Sequence, residues 1–418
     1  MFVGIDFGTT NSAIGIAGLD KAAPEEVQLV QLPKPGGGTQ STWRTVLFFE
    51  QAGGKLSAGA PAIARYLETG GEGRLLQSIK SHLASGSFKT TQILGRRWAL
   101  DDMIAAFLRQ LRAASPIDLG KRAVVGRPVK YWGAEDEEDD ARAIDRMQSA
   151  LGKAGFEEVH FEYEPVGAAA RYAAGLDHQE LIVVADFGGG TTDFSVIRAG
   201  GKEAGTVLAT GGIGVSGDAF DARIIDAVVA PALGRGTNYS VDAFSGDAPV
   251  PAWIYGHLRR WHYLSFLKEE QTMRLLDRVQ SGAREPKKID KLIRVVDEDL
   301  GLVLHRAVEG AKVRLSDSPE DRVTLEQIEL DLPVLRTGFE SWIAEDLEVI
   351  GKVLDEVLAK AGVTGAQIDK VFATGGSSLV PAVRNALSAR FGAEKLVGGE
   401  ELTSVAWGLA ARARQIWG

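Results

Sequence analysis

Cysteine is missing from this 418-residue chain. The protein therefore has no disulfides, no thiolate metal ligands and no cysteine nucleophile, which suits a reducing cytoplasm. A basic surface is also missing, because 47 lysines and arginines stand against 56 aspartates and glutamates, and the net charge is −9. That balance argues against a general nucleic-acid coat, since binding phosphates along a nucleic acid needs positive charge.

Long apolar runs are missing as well. No stretch approaches the roughly 20 apolar residues of a membrane-spanning helix. The chain opens at Met1 without the basic region and apolar run of a signal peptide. We therefore expect no membrane insertion and a cytoplasmic location. Residues 404–418, with Trp407 and Trp417, are predicted to form an amphipathic helix that packs back on the core, with a membrane-surface anchor as the alternative.

A repeated motif organises the chain. Residues 3–16 read VGIDFGTTNSAIGI and residues 184–197 read VADFGGGTTDFSVI. Each motif is an apolar run, a glycine turn and a second apolar run, which predicts two strands joined by a tight turn. Asp6-Phe7-Gly8 matches Asp186-Phe187-Gly188, and Thr9-Thr10 matches Thr191-Thr192 after two extra glycines. Two such hairpins predict two related lobes that face each other across a cleft.

The rest of the chain alternates strand patterns with helix patterns. We expect strands at 123–127 and 370–374, a helix over 135–151, mostly long helices over 252–316 and an amphipathic helix over 342–361. This alternation predicts an α/β fold with mixed sheets. The acidic run 135–140 is interpreted as a solvated helix start, where negative charge complements the helix dipole, rather than as a metal site.

The segment 253–266 reads WIYGHLRRWHYLSF and has apolar residues on two helical faces. Ile254, Leu258, Trp261 and Leu264 share one face, and Tyr255, His262 and Phe266 share the other. Such a segment is either deeply buried or a partner surface. We expect core packing, with a partner surface as the alternative.

The glycine hairpins indicate a nucleotide site. Turns that lack Cβ atoms let backbone N–H groups approach phosphate oxygens closely, and the neighbouring threonines add hydroxyl donors. Asp6 and Asp186 end the strands before the two turns, where carboxylates suit a hydrated Mg²⁺. The pair predicts a clamp for a nucleoside triphosphate. Neither turn has the Gly-Lys-Ser/Thr of a Walker loop, and no dinucleotide-binding GxGxxG follows the first strand.

These segments resemble the actin-like ATPase superfamily, and within it the DnaK-type heat-shock chaperones. The similar segments stand in family order and span nearly the whole chain: GIDFGTTNS (4–12), EPVGAAARYAAGL (164–176), DFGGGTTD (186–193), GGIGVSGDAFD (211–221), EGAKVRLS (309–316), ATGGSSLVPAV (373–383) and SVAWGLAA (404–411).

The resemblance implies an actin-like ATPase fold that binds ATP or ADP with Mg²⁺. Asp6 and Asp186 would hold the Mg²⁺ through water, and Lys80 would lie near the γ-phosphate. Glu164 and Asp193 would orient the attacking water, with Thr191 beside them. Further phosphate contacts would come from Gly8, Thr9, Thr10, Asn11, Gly188, Gly189, Gly190, Thr191, Thr192, Gly214 and Gly217. The adenosine contacts would come from Glu309, Lys312, Ser316, Gly375, Gly376 and Ser377.

The resemblance also implies domain boundaries. Lobe I would span 1–184, with an inner core of 1–38 and 119–184 and an outer subdomain of 39–118. Lobe II would span 185–397, with an inner core of 185–218 and 333–397 and an outer helical subdomain of 219–332. Residues 398–418 would form a helix that packs on lobe I, and no peptide-binding domain would follow.

Several residues depart from the chaperone pattern. Val313 and Leu379 replace the two arginines that sandwich the adenine in the chaperones, so the base would have only apolar contacts there. Arg314 is adjacent, but one helical position turns it away by roughly 100°. Thr192 stands where an aromatic or apolar residue is usual, and Leu402 where an aspartate is usual.

The chain ends soon after the last similar segment, like the short stand-alone DnaK-like proteins of the YegD type. We expect a monomeric ATPase whose lobes close on ATP and signal to a protein partner. One alternative is a non-catalytic nucleotide-sensing adaptor or actin-like assembly protein. A second alternative is a small-molecule kinase of the same superfamily.

Overall fold

The computed structural model of the chain describes residues 1–19, 26–34, 36–173, 176–201, 205–241, 246–259, 267–397 and 403–418. Residues 260–266 of the apolar segment 253–266, including Trp261, His262, Leu264 and Phe266, lie outside the described residues, as does Leu402.

The strands are, in chain order, β1 (Phe2–Phe7), β2 (Asn11–Ala17), β3 (Val27–Leu29), β4 (Leu32–Pro33), β5 (Thr39–Gln40), β6 (Thr42–Arg44), β7 (Val46–Glu50), β8 (Leu56–Ala58), β9 (Gly73–Gln77), β10 (Thr90–Ile93), β11 (Arg96–Ala99), β12 (Arg122–Arg127), β13 (Glu158–Tyr163), β14 (Glu180–Phe187), β15 (Thr192–Ala199), β16 (Thr206–Ile213), β17 (Asn238–Ser240), β18 (Asp247–Pro249), β19 (Glu320–Leu325), β20 (Leu330–Leu335), β21 (Lys370–Thr374) and β22 (Leu396–Val397).

The helices are α1 (Gly59–Glu68), α2 (Leu100–Ala114), α3 (Glu137–Lys153), α4 (Glu164–Ala173), α5 (Gly217–Ile224), α6 (Ala230–Ala232), α7 (Ala252–Leu258), α8 (Glu270–Gly282), α9 (Pro286–Asp297), α10 (Gly301–Arg314), α11 (Arg336–Trp342), α12 (Ala344–Lys360), α13 (Pro381–Phe391) and α14 (Ser404–Trp417). None of the helices within the described ranges is long and apolar enough to cross a membrane.

Two sheets repeat one strand order. The first runs β13-β12-β1-β2-β3, with β6 also paired to β2, and the second runs β22-β21-β14-β15-β16. In each sheet three strands form an antiparallel meander, and two further strands run parallel to its first strand. The predicted α/β fold with mixed, duplicated sheets is confirmed.

The two glycine hairpins have loops of equal length. Phe7 pairs with Ser12 and Phe187 pairs with Thr192, so four residues lie between the paired positions in each hairpin. The prediction that the second turn carries two extra glycines was therefore wrong. The strand pairing determines which backbone positions are equivalent. Gly189 and Gly190 therefore occupy the positions of Thr9 and Thr10 and do not lengthen the turn.

This register changes which residues are equivalent. Thr191 and Thr192 occupy the places of Asn11 and Ser12, not those of Thr9 and Thr10. Asp186 lies opposite Asp193, whereas Asp6 lies opposite Ala13. The duplicated hairpins are thus alike in backbone but differ by one carboxylate.

The chain divides into two compact units. The first contains residues 1–214, 352–378 and 387–418, and the second contains residues 215–351 and 379–386. Both repeated sheets belong to the first unit. The second unit holds α5 to α11 and the hairpins β17–β18 and β19–β20. The lobe and subdomain boundaries implied by the sequence stay a prediction.

The acidic run before α3 is a helix start, as predicted. The Asp136 carboxylate accepts a hydrogen bond from the Asp139 N–H at 3.0 Å and caps the helix, and four acidic residues fill its first turn. In the second unit Ile254, Tyr255 and Leu258 of α7 are buried. For these three residues core packing is confirmed.

Glycines let the last helix, α14, pack closely against β1 and α4 within the first unit. A Cβ on Gly4 of β1 would lie 2.2 Å from the Ala410 nitrogen of α14, and one on Gly408 would lie 1.9 Å from the Gly167 carbonyl oxygen of α4. The Trp417 indole N–H donates to Glu158 at 2.7 Å. The apolar face of α14 is therefore covered by β1, β12 and α4, which places it on the core.

Replacing Gly408 with alanine tests this close approach. Gly408→Ala should destabilise the first unit by about 1–3 kcal/mol, because the added methyl must push α14 away from α4. Gly152→Ala is the matched control, since Gly152 is also helical and a Cβ there meets nothing within 4 Å. The control should be neutral or stabilising by about 0.5–1 kcal/mol. Denaturant unfolding measures both, and equal effects would contradict this packing.

Candidate functional site

A partly buried ion pair forms the centre of the candidate site. Lys80 lies in a 3₁₀ turn, Ile79–His82, and Glu164 is the first residue of α4. The Lys80 Nζ lies 2.6 Å from Glu164 Oε1, and the two side chains are 10% and 17% exposed. Burial opposes ionisation of the lysine, but the charges of Glu164 and Asp6 raise the pKa of Lys80 to about 12. The lysine is therefore held as a cation.

Three aspartates from the two hairpins surround this pair. Asp6 and Asp186 are the penultimate residues of β1 and β14, and Asp193 is the second residue of the return strand β15. Burial and the charge of Glu164 raise the pKa of Asp6 to about 8, although Lys80 opposes the shift. Burial and Glu164 also raise the pKa of Asp186, while a hydrogen bond from Thr374 opposes the shift.

Asp193 is exposed, whereas Asp6 and Asp186 are only partly exposed, although protein atoms also lie close to the Asp193 carboxylate. Desolvation by those atoms and the charge of Asp186 raise the pKa of Asp193 to about 7, against a hydrogen bond from the Thr191 hydroxyl. This combination of solvent access and crowding is typical of a carboxylate that lines a binding cavity.

Carboxyl groups outnumber cations in this group. The charge of Glu164 raises the pKa of Asp6, Asp186 and Asp193, and the charge of Lys80 lowers the pKa of all three aspartates. The raised pKa values mean that these carboxyl groups resist being ionised together, and a further cation would favour their charged form. Within the described residues no three acidic or histidine side chains converge as direct metal ligands. A hydrated Mg²⁺, which keeps most of its waters, fits such a set better than a directly chelated ion.

Three residues that shape this group were missed as site residues by the sequence interpretation. The Thr374 hydroxyl donates to Asp186 Oδ1 at 3.0 Å and orients that carboxylate. Gly212 lies opposite Asp193 in the sheet, and a Cβ there would lie 2.1 Å from Asp193 Oδ1. A Cβ on Gly126 would lie 3.0 Å from the Glu164 Cγ. The signal for Gly212 was present in the sequence as a glycine pair in a strand, which marks close approach by another group.

The second glycine turn contacts the segment after β21. The Ser377 hydroxyl donates to the Gly188 carbonyl at 3.3 Å, so predicted members of the phosphate and adenosine groups meet here. The Gly188 N–H donates to the Thr191 carbonyl at 3.0 Å and closes the turn. Because the Gly188 N–H makes this hydrogen bond within the turn, the predicted phosphate contacts would come from the residues that follow Gly188. Gly375 has φ +79°, and a Cβ there would lie 2.2 Å from the Phe187 carbonyl oxygen.

The first turn, 8–11, joins β1 to β2 and is half-buried. The Thr10 carbonyl accepts a hydrogen bond from the Thr45 N–H at 2.8 Å, which ties the turn to the chain after β6. Gly214 follows β16, and a Cβ on it would lie 2.3 Å from the ring of Trp132. The phosphate roles of Gly8, Thr9, Thr10, Asn11 and Gly214 stay predictions.

The second unit holds the other predicted nucleotide contacts. Lys312 of α10 is buried, and its Nζ lies 2.9 Å from Asp221 Oδ1 and donates to the Gly217 carbonyl at 3.2 Å. Burial raises the pKa of Asp221 to about 6, although Lys312 opposes the shift. The lysine therefore ties α10 to the start of α5. The adenosine roles predicted for Lys312, Glu309 and Ser316 stay predictions.

The residues that depart from the chaperone pattern leave apolar surface in the second unit. Val313 is 56% exposed and Leu379 is 41% exposed. The Arg314 guanidinium forms an ion pair with Asp321 of β19. Arg314 is thus held by a carboxylate on its own side of the helix, which agrees with the expectation that it turns away from Val313.

A buried tyrosine beside the ion pair was also missed. Tyr131 lies in the loop from β12 to α3, is 3% exposed, and its hydroxyl finds no hydrogen-bond partner among the residues that the structure describes. Burial raises the pKa of Tyr131 to about 12; the charge of Lys80 lowers it and that of Glu164 raises it. The tyrosine therefore has a polar group near Lys80 and Glu164 that the protein itself does not satisfy, as expected where a ligand or water binds.

Arg127 holds the loop that carries this tyrosine. Its guanidinium lies 2.6 Å from Asp140 Oδ2 and 5.8 Å from the centroid of the Tyr131 ring. The other Asp140 oxygen, Oδ1, accepts the Tyr131 N–H at 3.0 Å. Arg127 thus contacts the Tyr131 ring, and Asp140 binds the Tyr131 backbone, while the hydroxyl has no partner in the part of the chain that the structure describes.

The chain is similar to known proteins over most of its length. The family model described as "Hsp70 protein" matches residues 78–243 and 274–418. The first range contains Lys80, Glu164, Asp186 and Asp193, whereas Asp6 precedes it. Two curated relatives are each named "Chaperone protein DnaK", one from Thermosipho melanesiensis and one from Thermosipho africanus, and both are 26% identical over 98% of this chain. The chain spans 58% of the length of these two relatives.

Replacing Tyr131 with phenylalanine tests whether its hydroxyl is unsatisfied. Tyr131→Phe should leave the ligand-free protein as stable as the wild type or more stable, because a buried hydroxyl without a partner costs about 1–3 kcal/mol. Tyr255→Phe is the control, since that buried hydroxyl donates to the Leu233 carbonyl at 3.1 Å, and the variant should lose about 1 kcal/mol. Thermal unfolding measures both. A loss in Tyr131→Phe as large as in the control would show that the hydroxyl has a partner.

Proposed function

Because the chain belongs to the Hsp70 family, whose members bind ATP and ADP with Mg²⁺, we propose that it is a Mg²⁺-dependent ATPase. The observation that carries the proposal is the partly buried ion pair of Lys80 and Glu164, with its Nζ–Oε1 distance of 2.6 Å, near the aspartates of two equivalent hairpins. Hydrolysis of a phosphoanhydride needs a cation near the transferred phosphoryl group, a carboxylate that orients water and a metal site. This group of side chains offers all three.

Magnesium fits the residues present. The negative charge that surrounds Lys80 would be neutralised by a divalent cation, and Asp6 and Asp186 would hold that cation through its waters. A bound Mg²⁺ supplies charge neutralisation for phosphate oxygens. Thr374 keeps the Asp186 carboxylate oriented for this role through its hydrogen bond at 3.0 Å.

Lys80 and Glu164 would divide the chemistry. The Lys80 ammonium stabilises the charge that develops on phosphoryl oxygens, and its confinement means that little reorganisation is needed as the charge grows. Glu164 accepts a hydrogen bond from the attacking water and orients it. The ion pair fixes both groups before the ligand arrives, so neither side chain has to be ordered during the reaction.

Asp193 would act as a second orienting carboxylate. Its solvent access allows contact with water, and Gly212 leaves the space that its carboxylate occupies. The Thr191 hydroxyl bonds to the same carboxylate. The first hairpin has Ala13 at the equivalent position, so only the second of the two hairpins would supply a carboxylate that orients water.

Signalling by nucleotide state completes the proposal. Closure of the predicted lobes on ATP would report the bound nucleotide to a protein partner, as the chaperone family suggests. We further infer a monomer in a cytoplasmic setting, which the lack of cysteine suits.

A nucleotide-sensing adaptor is the second candidate. It is favoured by the exposed Val313 and Leu379, which offer a base no cationic partner, and by the pairing of Arg314 with Asp321. Such a protein would bind nucleotide and turn it over negligibly. The two candidates differ in one measurable quantity, the rate of the chemical step.

Single-turnover hydrolysis of Mg²⁺-ATP separates the candidates. Lys80→Ala should lower the rate constant by about 10²–10³-fold, the usual loss for one transition-state donor. Nucleotide affinity should change by no more than about threefold, because the lysine acts on the transition state more than on the ground state.

Lys121→Ala is the matched control. Lys121 also has its Nζ 2.6 Å from a glutamate oxygen, that of Glu157, but both side chains are 67% exposed. The control should hydrolyse ATP at the wild-type rate. Equal rates in wild type and Lys80→Ala would overturn the catalytic role, and tight binding without turnover in the wild type would favour the adaptor.

A further inference from the structure

The segment that carries Lys80 has little regular structure of its own. Ser78 precedes the 3₁₀ turn with φ +54°, a left-handed conformation that is uncommon for a residue with a Cβ. From His82 to Phe88 the chain forms turns and bends without a strand or an α-helix. The carbonyls of such a segment need partners from elsewhere in the protein when they are removed from water.

Arg146 supplies many of those partners. Its guanidinium, on α3, donates to the carbonyls of Leu83 at 2.7 Å, Ser85 at 2.9 Å, Phe88 at 2.8 Å and His82 at 3.3 Å. One arginine therefore fastens four carbonyls of a seven-residue stretch. Only a planar guanidinium presents enough N–H donors in a fixed fork to do this.

Arg142 adds a fifth contact one helical turn away. Its Nη1 donates to the Ala84 carbonyl at 3.0 Å, and its guanidinium also pairs with Asp139. Positions 142 and 146 lie on the same face of α3 because residues four apart are neighbours on a helix. That face of α3 is thus built to hold the segment 82–88.

Apolar contacts connect this anchorage to Lys80. Ile79, Leu83 and Ala84 are at most 4% exposed and belong to the same core as Met147 of α3. His82 stacks on Phe88, with ring centroids 5.5 Å apart. Lys80 therefore stands between a buried residue on one side and the anchored carbonyls on the other, and its own backbone has little freedom.

We propose that Arg146 is a positioning residue, which holds the segment 82–88 so that the Lys80 ammonium stays on Glu164. A purely structural role would stabilise the protein without setting the position of Lys80. The two roles differ in what happens at the Lys80 side chain when Arg146 is replaced. This inference concerns the ion pair itself, and only its kinetic test rests on the proposed ATPase function.

Amine labelling of the full-length protein tests the position of Lys80 directly. In the wild type the Lys80 side chain is 10% exposed and its ammonium is ion-paired, so an acylating reagent should modify it slowly. Arg146→Gln should speed modification of Lys80 by about tenfold or more, the scale set by loss of charge-assisted hydrogen bonds. Mass spectrometry reads the rate at each lysine, and exposed Lys121 is the internal reference.

Two further variants keep the test decisive. Arg146→Lys retains the charge and most of the side-chain length but not the fork, so it should also speed Lys80 labelling while the protein stays folded. Arg109→Gln is the matched control. Arg109 lies on α2 and donates to the carbonyl of Lys153, at the end of α3, at 2.9 Å, away from the segment 82–88. Unchanged Lys80 labelling in both Arg146 variants, or equal acceleration in Arg109→Gln, would overturn the proposal.

The kinetic test separates this inference from the proposed function. If the wild type hydrolyses ATP, Arg146→Lys should lower the single-turnover rate constant by about tenfold and change Mg²⁺-ATP affinity by less than about threefold. An unchanged rate constant would contradict the positioning role. If the wild type does not hydrolyse ATP, the ATPase proposal fails, and the labelling result still decides the role of Arg146.

Discussion

The structure depends on one electrostatic constraint, the placing of a single lysine among four carboxylates. The Lys80 ammonium stabilises Glu164 through direct contact, but it cannot balance Asp6, Asp186 and Asp193 as well. Ionising all of these carboxyl groups together is costly without a ligand, so their pKa values are raised, and a bound cation would relieve that cost. Much of the surrounding architecture holds these charges close together, from the two hairpins to the arginines of α3.

Duplication explains how the charges come together, and asymmetry explains how they can do chemistry. Two sheets with one strand order bring an aspartate to the end of each central strand, which makes a symmetric pair suited to a hydrated metal. The return strands then differ, because Asp193 stands where the first hairpin has Ala13. Glu164 and Lys80 come from elements outside both hairpins. One backbone motif would thus serve twice in binding, while the water-orienting residues would be Asp193 of the second hairpin and Glu164 of α4.

The fold, Asp6 and Asp186 could be predicted from local sequence signals, whereas Lys80, Glu164 and Asp193 were predicted only through the resemblance to a known family. Apolar runs around glycine turns mark the hairpins, and a carboxylate beside a turn marks Asp6 and Asp186. The alignment of Thr9-Thr10 with Thr191-Thr192 was wrong because identical residues do not reveal backbone register, which strand pairing determines. Tyr131, Thr374 and Arg146 were missed because each acts through a contact distant in sequence: Arg146 touches carbonyls some 60 positions earlier.

Calorimetric titration of ADP with and without Mg²⁺ tests the central claim most directly, because it asks whether the carboxyl groups around Lys80 form a metal and phosphate site. The account predicts saturable binding in Mg²⁺ that weakens by at least about tenfold when the metal is chelated, since the carboxylates then repel the phosphates. It also predicts that Asp186→Asn weakens the metal-dependent part of the binding. ADP affinity that is unchanged by Mg²⁺, or no binding at all, would contradict the account.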